Sequence, residues 1–239
     1  MKPYGVAQRS GDRTFQCDVT AVCTMPDGTR AYALLDGVGD TLAVRSWTRI
    51  AARRLARAAA RHADAEAGLR AEYDHYAAAR TVGHDLPCAA AVVAVHVSGG
   101  LLSLAWSGDA RAYLLLEGLD GPPRQMTEDH NARRVYDGGD RNVITSCLGE
   151  VRSDEETERL WSHPDIEYLR GPARPGRLLL ASDGAYEPHE DAGHDLAAYL
   201  TGDPRTAAER LVDDAVRRAH ELNDPYADNA TALIARITC

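Results

Sequence analysis

The sequence RAYALLDGVG at residues 30–39 joins an apolar segment to an aspartate and a glycine-containing turn. Residues 30–35 have the length and composition of a buried β-strand. A second β-like segment, residues 18–23, and the turn Pro26-Asp27-Gly28 come just before it. The two segments are therefore predicted to form a hairpin whose second strand ends at Asp36.

Two further aspartates stand at the ends of predicted strands. Asp183 follows the apolar residues 178–182, and Asp228 precedes the predicted strand 230–238. An Asp-Gly pair, taken alone, is also a common turn dipeptide. Carboxylates that converge from several strand ends offer the oxygen ligands that Mg²⁺ and Mn²⁺ prefer, so the three together predict a site for a hard cation.

The rest of the chain alternates groups of strands with helices. Residues 41–80 are rich in Ala, Arg and Leu and lack proline, which predicts two helices separated near Gly68. Segments 89–97, 101–106 and 112–116 predict an antiparallel meander, and residues 118–165 predict surface loops with one short helix. Asp203-Pro204 predicts the start of a helix over 205–222. This order favours one α+β layered domain over residues 1–239.

Composition excludes several functional classes. Lys and Arg number 27 against 36 Asp and Glu, so the net charge is -9, which disfavours nucleic acid and anionic membrane as partners. No apolar run approaches the roughly 18 residues that span a bilayer, and we expect a cytoplasmic protein. The five cysteines include no C-x-x-C pair, which argues against a disulfide framework and a thiolate zinc site.

One helical pattern has two explanations. Arginines recur every four residues along the first predicted helix, at Arg45, Arg49, Arg53, Arg57 and Arg61. A solvated helix face explains such a repeat. A site for phosphate, nucleic acid or a protein partner is the alternative.

Several motifs extend the aspartate pattern and occur in a fixed order. They are Arg13 before Cys17-Asp18, Asp36-Gly37-Val38-Gly39, Gly108-Asp109-Ala110-Arg111, Met126–His130, Asn142–Thr145, Ser182-Asp183-Gly184 and Asp228-Asn229. In this order the chain resembles the metal-dependent serine/threonine phosphatases of type 2C, and most of all their compact bacterial members. The resemblance runs from about Gly11 to Ile237.

The resemblance implies an α+β fold that is a four-layer α-β-β-α sandwich, with two antiparallel sheets flanked by helix pairs. It also implies a centre of two Mg²⁺ or Mn²⁺ ions at one end of the sandwich. Asp36 would bridge both ions, the carbonyl of Gly37 would bind one, and Asp183 and Asp228 would bind the other. Many bacterial members hold a third, weaker ion, for which Asp109 would act together with Asp183.

The implied reaction is hydrolysis of phosphoserine or phosphothreonine in a phosphorylated protein, by a water that the two ions activate. Asp18 would orient this water. Arg13 would clamp the phosphoryl group, because its planar guanidinium matches phosphate oxygens. A serine/threonine kinase is a further expected partner.

Several positions depart from the family pattern, among them Ala110, which stands where the family has a serine. Cys17 stands where the family has a glutamate that helps to hold one ion, and Asp40 stands where the family has a second glycine. One hypothesis is that the missing carboxylate weakens metal binding, so that Cys17→Glu lowers the Mn²⁺ concentration needed for activity. The other is that Cys17 is a small buried residue. The alternative function is a catalytically weak or inactive binding or regulatory module on the same fold.

Overall fold

The computed structural model describes residues 3–79, 86–119, 121–221 and 225–238. Its strands are β1 (Tyr4–Arg9), β2 (Val19–Thr24), β3 (Arg30–Gly37), β4 (Ala89–Val97), β5 (Leu101–Ser107), β6 (Arg111–Leu116), β7 (Arg124–Gln125), β8 (Glu167–Pro172), β9 (Gly176–Ala181) and β10 (Ala230–Ile237). Its α-helices are α1 (Leu42–His62), α2 (Ala65–Ala79), α3 (Ala132–Val135), α4 (Asp154–Trp161), α5 (Asp183–Asp191) and α6 (Pro204–Glu221), and residues Leu196–Tyr199 form a 3₁₀ helix.

The strands form two antiparallel sheets that pack face to face. One has the order β1-β10-β9-β6-β7 and the other β2-β3-β4-β5-β8. Helices α1 and α2 cover the second sheet, and α5 and α6 cover the first. The predicted four-layer α-β-β-α sandwich is confirmed.

Strand β3 shows why residues 30–35 are almost continuously apolar. Tyr32 and Leu34 face the core between the sheets, whereas Ala33 and Leu35 face the core under α1 and α2. Successive side chains of a strand point to opposite faces, so a strand in an inner layer must be apolar on both. Residues 31–35 are fully buried as a result.

Several local predictions are wrong. The predicted meander fails because β6 pairs with β9 in the other sheet, and the chain changes sheets at Gly108, which has a φ of 110°. Gly68 does not separate two helices, because α1 ends before Ala63 and Gly68 lies within α2. A Cβ at Gly68 would lie 2.3 Å from the Cα of Ala59, so this glycine lets the two helices pack closely.

Other boundaries differ less. The segment 118–165 contains two short helices, α3 and α4, where one was expected. Helix α6 begins as predicted, since a carboxylate oxygen of Asp203 accepts hydrogen bonds from the backbone N–H groups of Arg205 and Thr206. Arg80 and Leu222, the predicted last residues of two helical segments, lie outside the described residues.

Candidate metal centre

A cavity of about 400 Å³ lies at one end of the sandwich and brings most of the predicted site residues together. Its lining includes Arg13, Asp36, Gly37, Asp109, Asp183 and Asp228. These residues come from five places in the chain. They lie on the loop between β1 and β2, at the end of β3, between β5 and β6, at the start of α5, and just before β10.

The glycines after Asp36 and Asp183 are needed for close packing rather than for turns. A Cβ at Gly184 would lie 2.4 Å from the backbone oxygen of Asn229, and one at Gly37 would lie 2.8 Å from that of Cys17. Neither glycine is among those with a positive φ. The Asp-Gly pairs therefore mark points where two segments meet and bring their carboxylates to the same place.

Asp18 is the predicted site residue that does not line the cavity. It is buried, and its Oδ2 atom has no hydrogen-bond partner. Burial and the negative charge of Asp183 raise the pKa of Asp18 to about 8. A buried carboxylate oxygen without a partner is costly, so Asp18 lies in a position that favours a proton or a cation nearby.

Three carboxyl groups that line the cavity show the same effect. Burial, followed by the charges of neighbouring aspartates, raises the pKa values of Asp36, Asp109 and Asp183 above their ordinary value. Like charges that share one site oppose each other's ionisation. The cavity is consequently a place where positive charge would be stabilised.

Arg13 and Asp228 pair with each other in this structure. The Arg13 Nε and Nη2 groups donate to the two carboxylate oxygens of Asp228 at 2.7 and 2.6 Å. The Arg13 guanidinium also lies 5.6 Å from the ring centroid of Tyr226. Arg13, the predicted phosphate-binding residue, is thus hydrogen-bonded to Asp228, a predicted metal ligand 215 positions away in the sequence.

The donor chemistry of the cavity fits a divalent cation that prefers oxygen ligands. Its acidic residues supply carboxylate oxygens, and Asp18, which is influenced by the charge of Asp183, has one buried oxygen without a partner. Across residues 3–79, 86–119, 121–221 and 225–238, however, no three His, Cys, Asp or Glu side chains are already arranged to hold a metal ion. Both oxygens of Asp228 already accept hydrogen bonds from Arg13, and its Oδ1 atom also accepts one from the Asn229 N–H at 2.6 Å.

Cys17 and Asp40, which both depart from the family pattern, have structural roles. Cys17 is 1% exposed, and its thiol contacts the backbone oxygen of Thr41 at 3.7 Å, so it does not line the cavity. The hypothesis that Cys17 weakens a metal site is therefore not supported. Asp40 accepts hydrogen bonds from the N–H groups of Thr14 and Phe15 at 2.9 and 2.7 Å, which ties the loop after β3 to the segment that carries Arg13.

Three residues that the sequence analysis missed also line the cavity. Arg141 donates two hydrogen bonds to Asp191 at 2.8 and 2.7 Å and makes an ion pair with Glu187 at 3.1 Å. Burial and the charge of Asp183 raise the pKa of Glu187 to about 8. Glu187 follows Asp183 by four residues, so recognition of α5 would have placed both side chains on one helix face.

His130 supports the segment that carries Asp109. Its Nδ1 atom accepts a hydrogen bond from the Gly108 N–H at 3.3 Å, and its Nε2–H group donates to Glu167 at 3.0 Å. Its ring stacks on that of His163, with the centroids 4.3 Å apart. These contacts connect the β5–β6 crossing to His163 and to the first residue of β8.

Comparisons with solved structures identify the fold. The serine/threonine phosphatase Stp1 from Staphylococcus aureus is 18% identical, and the match covers 100% of this chain and 96% of that chain with a TM-score of 0.72. The serine/threonine phosphatase PstP/Ppp from Mycobacterium tuberculosis is 24% identical, with 99% and 98% covered and a TM-score of 0.70. PppA from Pseudomonas aeruginosa is 21% identical, with 99% and 98% covered and a TM-score of 0.69.

The chain therefore has the fold of bacterial serine/threonine phosphatases over nearly its whole length. No protein-family model and no curated protein matches the sequence. None of the helices in the described ranges has the length and apolar character needed to cross a membrane.

Proposed function

We propose that this chain is a metal-dependent phosphoprotein phosphatase of type 2C that hydrolyses phosphoserine or phosphothreonine. The observation that carries the proposal is the convergence of Asp36, Asp109 and Asp183 in one cavity, with Arg13 and Asp228 lining it as well. The shared fold with bacterial phosphatases supports it. The partner is a phosphorylated protein, and a serine/threonine kinase that produces it is the expected counterpart.

The carboxylates of the cavity would hold the cations. Asp36, the Gly37 carbonyl, Asp183 and Asp228 would bind two Mg²⁺ or Mn²⁺ ions, and Asp109 would contribute with Asp183 to a third. Divalent cations bound there would supply an activated water nucleophile and offset charge on the phosphoryl oxygens. Their charge would also favour the ionised forms of these aspartates, whose pKa values are otherwise raised.

Arg13 and Asp18 would act on the substrate and the water. The guanidinium of Arg13 already makes two parallel hydrogen bonds to the carboxylate of Asp228, the geometry in which it would bind two phosphoryl oxygens. Substrate binding would therefore exchange one acceptor group for another. Asp18 Oδ2, which has no partner, would accept a hydrogen bond from the attacking water.

The test compares hydrolysis of p-nitrophenyl phosphate and a phosphothreonine peptide across a Mn²⁺ titration, with Mn²⁺ binding measured separately by calorimetry. Asp183→Asn removes one cavity carboxylate. Asp213→Asn is the matched control, because Asp213 forms a surface ion pair with Arg9 and its side chain is 53% exposed.

We expect metal-dependent turnover that Asp183→Asn abolishes and Asp213→Asn retains, together with weaker Mn²⁺ binding in Asp183→Asn only. Mn²⁺ binding without turnover on either substrate would instead favour a binding or regulatory module. Absence of both Mn²⁺ binding and turnover would contradict the proposed metal centre.

A further inference from the structure

Four arginines form an exposed face on α1, here called the arginine face: Arg49, Arg53, Arg57 and Arg61. Residues four apart on a helix are separated by about 6 Å along the axis and by about 40° around it, so the four span roughly 18 Å and 120°. Arg45, the fifth member of the repeat, is half-buried at the margin. The buried residues of the helix, such as Ala51 and Leu55, pack on the sheet, so the arginine face points away from it.

The charges on this face have no acidic partner among the residues that the structure describes. Helix α1 contains no aspartate or glutamate. Arg54, which lies off the face, pairs with Glu72 at 2.7 Å. In the part of the chain that the structure describes, the four arginines of the face make no ion pair or side-chain hydrogen bond.

This arrangement is unfavourable for the isolated chain. Each arginine of the face has a like charge four residues away, and such pairs destabilise a helix. The concentration of positive charge contrasts with a protein whose net charge is -9. Acidic groups from another molecule would relieve the repulsion, because a guanidinium forms two-point hydrogen bonds with a carboxylate.

Apolar side chains on the same side of the helix indicate the kind of partner. Ile50 and Leu42 are 60% and 59% exposed, and Ile50 lies between Arg49 and Arg53. Protein interfaces combine arginine with apolar contacts, whereas contacts to a nucleic-acid backbone are made mainly by charged and polar groups, which favours a protein partner for a face that includes Ile50. A long polyanion would also be repelled by the net negative charge of the rest of the chain. A short acidic segment bound on the arginine face interacts mainly with charges within a Debye length of about 8 Å, and the nearest of these are the positive arginines.

We propose that the arginine face binds an acidic segment of a partner protein. The expected ligand is helical, with carboxylates about four residues apart and an apolar residue that packs on Ile50. This inference does not depend on the proposed phosphatase activity, and the binding assay requires neither metal nor turnover.

The probe is a fluorescein-labelled 20-residue helical peptide with glutamate at every fourth position and leucine between them, titrated with the full chain from 50 to 300 mM NaCl. A peptide with glutamine in place of glutamate reports apolar binding alone. The test variant is Arg53→Glu/Arg57→Glu. The control is Arg124→Glu/Arg174→Glu, which makes the same change in net charge at two exposed arginines elsewhere. Circular dichroism checks that both variants are folded.

We expect the wild-type chain to bind the glutamate peptide with an affinity that falls as salt increases. The test variant should lose about tenfold or more in affinity and the control less than about threefold, because only the test variant replaces attraction with local repulsion. Equal losses in both variants, or no wild-type binding at 50 mM NaCl, would overturn the proposal. Tighter binding to single-stranded DNA or to phosphatidylserine vesicles than to the peptide would also overturn it.

Discussion

Replacing Asp18 with asparagine is expected to stabilise the protein when no divalent cation is present. Asp18 is 2% exposed, and its Oδ2 atom has no hydrogen-bond partner. Burial and the charge of Asp183 raise its pKa to about 8. Asparagine has nearly the same shape but no charge, so the variant removes the cost of a buried carboxyl group and lets its amide donate to Asp36 or Asp183.

The magnitude follows from the difference in pKa between the folded and unfolded states. A carboxyl group whose pKa is higher in the folded state loses its proton more readily on unfolding, so the native state is destabilised increasingly as pH rises from about 4 to about 8. At pH 7 the pH exceeds the unfolded-state pKa of about 3.9 by about 3. Ionisation of Asp18 in the unfolded state therefore lowers the free energy of unfolding by about 4 kcal/mol. Since neighbouring aspartates readjust, we expect Asp18→Asn to increase the free energy of unfolding at pH 7 by about 2–4 kcal/mol.

Urea denaturation in EDTA at pH 5, 6, 7 and 8 provides the assay. The gain should be smallest at pH 5, where it should be on the order of 1 kcal/mol, and should level off near pH 8. Asp213→Asn, at a surface ion pair, should change stability by less than about 0.5 kcal/mol. A destabilised Asp18→Asn variant, or a gain that does not change with pH, would refute the reasoning. The same variant should lose phosphatase activity if the proposed role of Asp18 is correct.

Three further predictions concern single residues around the cavity. Burial lowers the pKa of His130 to about 4, so the folded state keeps this ring neutral and loses stability as pH falls from about 6.5 towards 4. His130→Gln should therefore flatten the plot of unfolding free energy against pH in this range, and an unchanged slope would show that His130 does not cause the loss. Cys17→Glu should lower the melting temperature without lowering the Mn²⁺ concentration needed for activity, because the thiol is buried against the Thr41 carbonyl. A lower Mn²⁺ concentration for activity would instead support the hypothesis that Cys17 weakens a metal site. Gly184→Ala should lower the melting temperature by several degrees, because its Cβ would lie 2.4 Å from the backbone oxygen of Asn229. Gly171→Ala, with open space around its Cβ, should leave the melting temperature unchanged, and equal melting temperatures for the two variants would show that the backbone at Gly184 relaxes freely.

The sequence predicted the parts of the fold whose patterns are local. Strand β3 is recognisable because it is buried on both faces, and α6 because Asp203 and Pro204 mark its start. The partner of β6 was not predictable in this way, since a tight turn at Gly108 resembles a hairpin turn whether or not the chain changes sheets. Helix α5 was missed because Asp183-Gly184 and Pro188 are typical of turns.

The candidate site was predictable to the extent that its residues lie in recognisable motifs. The ordered aspartates identified the acidic lining of the cavity, but the Arg13–Asp228 pair joins residues 215 positions apart and has no local signal. Arg141 lies in a segment that predicts loops, so its place at the cavity depends entirely on tertiary packing. The sequence alone therefore showed which groups were available and not how they were paired.

The pairing of Arg13 with Asp228 connects the charge balance of the cavity to its proposed chemistry. The structure provides Asp228 with a guanidinium partner, whereas burial and the charge of Asp183 raise the pKa of Asp18, and burial and the charges of Asp18 and Asp183 raise that of Asp36. The fold can tolerate such crowding because β3 and β9, which lead to Asp36 and Asp183, are buried on both faces and so contribute stability away from the acidic end. The carboxylates that oppose folding are therefore the same groups that would favour cations, and Asp40 keeps Arg13 close to them by holding its segment against the loop after β3.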